Sequence, residues 1–186
     1  MESDSRVALH ACSNGGKVAL ANPLVRRPDG YILSYGVSYG KKLSACPRSA
    51  ADIHSEFVSK CGFSSAFQPR LDAAVTKRGM EDDLRDVATR IKPHDVVVVF
   101  FSGHGMRQGN TACVMDSAEA SVSVRKLQAV FAEILVQRRS MSKVPIMTSL
   151  VIILDCCQTL SGRYLALWAD VHFSNCVMIF KRCREE

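Results

Sequence analysis

Two short segments of the chain are apolar at every position, and they constrain the fold more than any other feature of the sequence. Val96 to Phe101 reads VVVVFF, and Leu150 to Leu154 reads LVIIL. An unbroken apolar run that is rich in β-branched residues is typical of a strand buried on both faces. The sequence therefore predicts a mainly parallel sheet that is covered by helices on both sides.

Three amphipathic helices are predicted between the strands, because apolar residues recur at helical spacing after a residue that can cap a helix. The capping residues are Ser49, Thr76 and Ser123. Gly62 ends the first helix and Pro93 ends the second. Two further strands are predicted at Tyr31 to Tyr35 and at Cys176 to Phe180. Alternating strands and helices indicate an α/β fold, a three-layer α/β/α sandwich with a mainly parallel central sheet.

The length of 186 residues suits one compact domain and is short for two. Residues 1–30 contain turn-forming segments before the first clear strand, so we expect a poorly packed lead-in there. The folded domain is expected over residues 31–186.

Several classes of protein are disfavoured by composition and charge. The apolar runs are far shorter than the roughly 20 residues that span a bilayer, and the N-terminus does not read as a secretory signal. The net charge of +6 is dispersed, and no aromatic residues are interleaved with the basic ones, so nucleic-acid binding is not expected. Eight cysteines without a disulfide framework fit a reducing compartment, and a cytoplasmic location without membrane contact is predicted.

Residues able to carry out chemistry follow the two buried strands. The motif SGHG (residues 102–105) follows the first strand, and DCCQ (residues 155–158) follows the second. Functional groups of open parallel sheets collect at this end of the strands. A histidine flanked by glycines on a turn has an uncrowded imidazole, and a cysteine on the neighbouring strand end can supply a thiolate for it to activate. The pattern predicts a Cys/His dyad.

A third segment, LSAC at residues 43–46, precedes the first helix. With these motifs, the stretch from Tyr31 to Gly162 resembles the large-subunit half of the caspase-like cysteine peptidases, and it is most similar to the metacaspase and paracaspase branches. His104 precedes Cys157 by about 50 residues, which is the spacing of caspase-type peptidases. The resemblance implies a caspase-like sandwich whose C-terminal half, the small subunit, is truncated.

The resemblance also implies a role for each residue of the site. His104 is the general base and acid, Cys157 is the nucleophile, and the backbone N–H groups of Gly105 and Cys157 form the oxyanion hole. Asp155 lies in the substrate pocket, where an acid attracts Arg or Lys. Ser49 stands where the family usually places a second acid, so weak affinity is expected.

Alternatives remain at single positions. Cys156 rivals Cys157 as the nucleophile, although a small residue packed beneath the nucleophile accounts for it as well. Asp155 can instead accept backbone N–H bonds at the strand end. His172 and Cys176 lack the paired spacing of a structural zinc site, so no metal site is predicted. No cofactor is identified, and the resemblance allows calcium activation without indicating ligands.

Two functions are consistent with these features. The first is a cysteine endopeptidase of the caspase-like clan that cuts polypeptides after Arg or Lys. The second is a weak or inactive relative that acts as an interaction or regulatory module. Both dyad residues are present, which favours the first, whereas the short stretch after Cys157 favours the second because an incomplete cleft positions a thiolate poorly. Arg138-Arg139, expected between the third helix and the following strand, is a candidate self-cleavage site, and the oligomeric state is not predicted.

Overall fold

The computed structural model of the chain describes residues 29–40, 42–109, 111–141, 148–158 and 176–181, with residues 157–158 and 176–181 described by their backbone. Nearly all of the lead-in predicted for residues 1–30 lies outside these ranges. His172 lies outside them as well. The described strands are β1 (Gly30–Gly36), β2 (Arg70–Leu71), β3 (Val96–Gln108), β4 (Thr111–Met115), β5 (Ser121–Ser123), β6 (Ser149–Gln158) and β7 (Cys176–Lys181). The described helices are α1 (Cys46–Cys61), α2 (Lys77–Arg90) and α3 (Val124–Met141).

The described strands form one seven-stranded sheet in which β3 is central. β1 pairs with one edge of β3 and β6 pairs with the other, both in parallel. β2 and β7 continue the parallel part outward from β1 and β6. β4 and β5 add an antiparallel extension beyond the end of β1. The prediction of a mainly parallel sheet is confirmed.

The core has two parts, one on each face of the sheet, because successive residues of a strand point to opposite faces. Val97, Val99 and Phe101 of β3 pack with buried residues of α2 and α3. Val98 and Phe100 pack on the other face with residues of α1. Helices thus cover both faces, and the predicted three-layer α/β/α arrangement is confirmed.

Two of the predicted helix caps are confirmed, and one is wrong. The Thr76 hydroxyl accepts a hydrogen bond from the N–H of Gly79 at 3.0 Å, and the Ser123 hydroxyl accepts one from Lys126 at 3.3 Å. Ser49 does not cap α1, which begins at Cys46.

The early start of α1 follows from Pro47, which occupies the first turn. Proline is well suited to that position because its fixed φ is helical and the missing N–H would have no intrahelical partner there. The N–H of Ser49 already donates to the backbone oxygen of Ala45 at 2.9 Å. Ser49 is therefore a residue of the first helical turn.

β3 is longer than predicted. It continues to Gln108, so the SGHG motif lies inside the strand and not in a turn after it. The added length is stabilised by β4, which pairs with it from Gln108↔Thr111 to Gly105↔Val114. β4 and β5 were not predicted, because strands this short offer too few positions for a periodic pattern.

The Arg138-Arg139 pair lies inside α3, so the expected loop position is wrong. The Arg138 guanidinium donates to the backbone oxygens of Ala88 at 2.7 Å and Ile91 at 2.8 Å. These carbonyls belong to the C-terminal end of α2, where a helix leaves carbonyls without intrahelical donors. The pair is thus held in a helix that is tied to α2, and not in the extended conformation that a peptidase cleaves.

Arg138→Ala is expected to lower the free energy of unfolding by about 1–3 kcal/mol, because two carbonyls at the end of α2 lose a charged donor. Arg139→Ala is the matched control, since Arg139 is exposed, and it should change stability by less than about 0.5 kcal/mol. Urea unfolding followed by circular dichroism measures both. Equal losses in the two variants would show that the contact with α2 contributes nothing.

Candidate active site

The last part of the parallel pairing between β3 and β6 brings the two residues of the predicted dyad side by side. The register pairs His104 with Cys157, and the pairs on either side are Gly103↔Cys156 and Gly105↔Gln158. Neighbouring strands lie about 5 Å apart, and paired positions of parallel strands share a face of the sheet. Residue 157 is therefore placed next to His104, on the face that carries α1.

Cys156 belongs to the opposite face. It is buried in the core formed with α2 and α3, with 4% of its surface exposed. A Cβ placed on Gly105 would lie 2.4 Å from the Cys156 Sγ, so the thiol occupies the space that a larger residue at position 105 would need. The packing role considered for Cys156 is confirmed.

Tyr39 fills a gap in the backbone hydrogen bonding of β3, on the edge that pairs with β1 and β4 and not with β6. The pairing with β1 ends at Ser102, and the pairing with β4 covers Gly105 to Gln108, so neither strand pairs with the two intervening residues. The Tyr39 hydroxyl accepts a hydrogen bond from the backbone N–H of His104 at 3.3 Å and donates one to the backbone oxygen of Met115 at 2.5 Å. Tyr39 therefore links β3 to β4 at the position of the histidine.

The Tyr39 ring also contacts the His104 imidazole. The ring centroids are 4.3 Å apart and the planes are inclined by 36°. Burial raises the pKa of Tyr39, so its hydroxyl stays protonated and remains a donor to Met115. The sequence did not indicate this residue, because a single tyrosine in a turn carries no periodic or motif signal.

The backbone N–H of Gly105 is directed toward β6. The N–H of His104 points toward the β1 side of β3, and successive N–H groups of a strand alternate in direction. Gly105 is paired with Gln158 on the β6 side. The N–H that was predicted as an oxyanion donor thus lies at the end of the ladder between the two strands of the dyad.

Asp155 lies two residues before Cys157 on β6 and is paired with Ser102. The Ser102 hydroxyl donates to the Asp155 Oδ2 at 3.4 Å. Ser102 is almost fully buried, and Asp155 is half-buried. Because side chains alternate along a strand, Asp155 is on the same face as His104. The sheet end therefore carries an acidic side chain next to the dyad positions.

The start of α1 reaches the same end of the sheet. A Cβ placed on Gly36, the last residue of β1, would lie 2.6 Å from the backbone oxygen of Cys46. Ser49 belongs to this first turn and is half-buried. β3 lies between β1 and β6, so Ser49 and Asp155 are carried by elements on either side of the strand that holds the histidine.

Among the residues that the structure describes, no group of three or more His, Cys, Asp or Glu side chains is arranged to hold a metal ion. In the same part of the chain, no helix is both long enough and apolar enough to cross a membrane.

Comparisons with known proteins bear on the same residues. A family model described as Caspase domain matches residues 33–175, a range that includes the ends of both β3 and β6. Among solved structures, the chain is similar to protein GSU0716 from Geobacter sulfurreducens, with 19% sequence identity and a TM-score of 0.53. The match covers 71% of this chain and 52% of that one, so the chain spans about half the length of the bacterial protein. At this identity the likeness concerns the fold alone. No curated protein matches the chain.

Proposed function

Since this chain belongs to the Caspase domain family of cysteine peptidases, we propose that Cys157 and His104 form a catalytic dyad that cleaves polypeptides. The observation that carries the proposal is the register pair His104↔Cys157, next to the last pair of the parallel ladder between β3 and β6. This is the position in an open parallel sheet where functional groups collect. The burial of Cys156 in the core supports Cys157 as the nucleophile.

Each catalytic step has a residue of the site assigned to it. The His104 imidazole accepts the thiol proton of Cys157, and the thiolate attacks the carbonyl carbon of the scissile amide. The tetrahedral intermediate collapses to a thioester when the amine leaves with a proton from His104. Water then attacks the thioester with His104 as base, which releases the carboxylic acid and restores the thiol.

The developing oxyanion accepts hydrogen bonds from the backbone N–H groups of Gly105 and Cys157. Because the N–H of Gly105 is directed toward β6 at the pair Gly105↔Gln158, this last pair must open when a substrate binds. The end of a ladder opens at a lower free-energy cost than its interior. Substrate binding and formation of the oxyanion hole are therefore coupled in this proposal.

We further propose that the chain cleaves after Arg or Lys. In this proposal residues 31–186 are the large-subunit portion of a peptidase of the metacaspase and paracaspase branches. Asp155 supports this specificity, because a half-buried acid on the face of His104 attracts a cation and repels a carboxylate. The Ser102 hydroxyl orients it. Ser49 adds no second negative charge, so affinity for the basic side chain is weak.

Asp155→Asn is expected to lower kcat/KM for an Arg peptide by about 10-fold to 100-fold, equivalent to about 1.4–2.7 kcal/mol of transition-state binding. Asparagine keeps the shape and can still accept from Ser102, so the loss reports the charge. Ser49→Asp is expected to act in the opposite direction and raise kcat/KM severalfold. Both variants are compared with the natural chain on peptides that differ only in the residue before the cleaved bond.

The same peptides test the proposed function itself. The natural chain is expected to cut after Arg and Lys and to leave the Asp peptide intact. Cleavage after Asp, or an unchanged preference in Asp155→Asn, would overturn the proposed specificity. If the folded chain cuts none of the peptides, the proposed peptidase activity is wrong and the interaction module takes its place.

A further inference from the structure

We propose that Tyr39 is a positioning residue that holds the His104 imidazole in its productive orientation, a role that rests on the dyad proposed above. Tyr39 contacts the histidine at two separate points. Its hydroxyl bonds to the backbone, and its ring lies against the imidazole. Each contact restricts a different degree of freedom of the histidine.

The hydroxyl fixes the backbone of His104. At this position the β1 edge of β3 has no strand partner, since the pairing with β1 ends at Ser102 and the pairing with β4 covers only Gly105 to Gln108. The Tyr39 hydroxyl takes the place of a strand, because it accepts from His104 and donates to Met115. Without it, the N–H of this half-buried residue would have to find water as its acceptor.

The ring restricts the side chain. At a centroid separation of 4.3 Å the two rings are in contact, and the Tyr39 ring excludes imidazole rotamers that would pass through it. A histidine whose imidazole is rotated away from the thiol cannot accept the thiol proton. Errors in position of about 1 Å can cost a catalytic group roughly 100-fold in rate. The ring contact thus bears directly on the proton-transfer step.

Tyr39 suits this role because it is itself held in place. The residue before it, Ser38, donates to Asp72 Oδ1 from both its N–H at 2.8 Å and its hydroxyl at 2.6 Å. The Tyr39 ring packs against the core shared with α2 and α3. A Cβ placed on Gly103 would lie 3.2 Å from the Tyr39 hydroxyl oxygen, so the first glycine of the SGHG motif leaves room for it.

The test is a double-mutant cycle between positions 39 and 104. Tyr39→Leu removes both contacts, whereas Tyr39→Phe keeps the ring and removes the hydroxyl. In the natural chain, Tyr39→Leu is expected to lower kcat by about 10-fold to 100-fold with KM changed less than about twofold, and Tyr39→Phe should recover most of this loss. In the His104→Ala chain, Tyr39→Leu should have no further effect, because a positioning residue acts only through the group that it positions.

Alkylation of Cys157 by iodoacetamide, quantified by mass spectrometry, repeats the cycle without any peptide substrate. The thiolate is the reactive form, so Tyr39→Leu should slow alkylation in the natural chain and not in His104→Ala. This readout separates the two proposals. If the chain cuts no peptide but Tyr39→Leu still slows alkylation only when His104 is present, the proposed peptidase function is wrong and the role of Tyr39 stands. Equal slowing in both backgrounds would indicate a merely structural residue and overturn the inference, as would no slowing in either.

Discussion

Cys157→Ala is expected to abolish peptide cleavage, and His104→Ala is expected to lower kcat by about 1,000-fold. Without the sulfur, no thioester can form. Without the imidazole, the thiol keeps its proton and the departing amine has no acid. Both variants should keep the fold, because each change removes atoms at the end of the sheet and leaves the strands' backbone pairing intact. Peptide hydrolysis and circular dichroism measure the two properties.

Cys156→Ala is the matched control for the nucleophile. Its side chain packs in the core with α2 and α3, so the variant should lose about 1 kcal/mol of stability and keep turnover within about fivefold. The reverse pattern, in which Cys156→Ala is inactive and Cys157→Ala cleaves normally, would show that the two cysteines have been assigned the wrong way round.

Gly36→Ala is expected to lower the free energy of unfolding by about 3 kcal/mol. A Cβ on Gly36 would lie 2.6 Å from the oxygen of Cys46 and 2.7 Å from the Cα of Pro47. Both are backbone atoms, which cannot rotate away as a flexible side chain does. The start of α1 must then move off β1, and it carries Ser49 with it, so KM for an Arg peptide should also rise.

Gly40→Ala serves as the control for this substitution. Gly40 has a left-handed backbone with φ of 73°, and a Cβ there would meet nothing within 4 Å. The control therefore suffers conformational strain alone, at about 1 kcal/mol. Urea unfolding of the two variants gives the comparison, and a loss in Gly36→Ala no larger than that in Gly40→Ala would contradict the close approach of α1 to the sheet.

The layered fold could be predicted from the sequence because its two central strands are apolar at every position. Val96 to Phe101 and Leu150 to Leu154 can be buried only between two layers, and the structure places helices on both sides. The prediction of a helix cap at Ser49 was wrong for a local reason, because Pro47 in the first turn favours a helix that begins earlier, at Cys46. The continuation of β3 past Phe101 could not be predicted, because it depends on pairing with β4.

The site could be predicted only as far as its strand ends. The sequence placed His104 and Cys157 after two buried strands, and the register pairs them. Tyr39 was missed because its contact depends on a loop that enters the gap between β1 and β4, which is a relation between distant parts of the chain. The direction of the Gly105 N–H was also missed, because Gly105 lies in the part of β3 that continues past Phe101 and depends on pairing with β4.

An arginine-based, thiol-directed covalent probe tests most directly whether Cys157 is the nucleophile of a peptidase that accepts basic residues. Mass spectrometry of the labelled chain is expected to locate one adduct on Cys157. The adduct should be absent in Cys157→Ala and form far more slowly in His104→Ala, and a matched aspartate probe should label more slowly than the arginine probe. An adduct on Cys156, or labelling of Cys157 at the same rate with and without His104, would contradict the account.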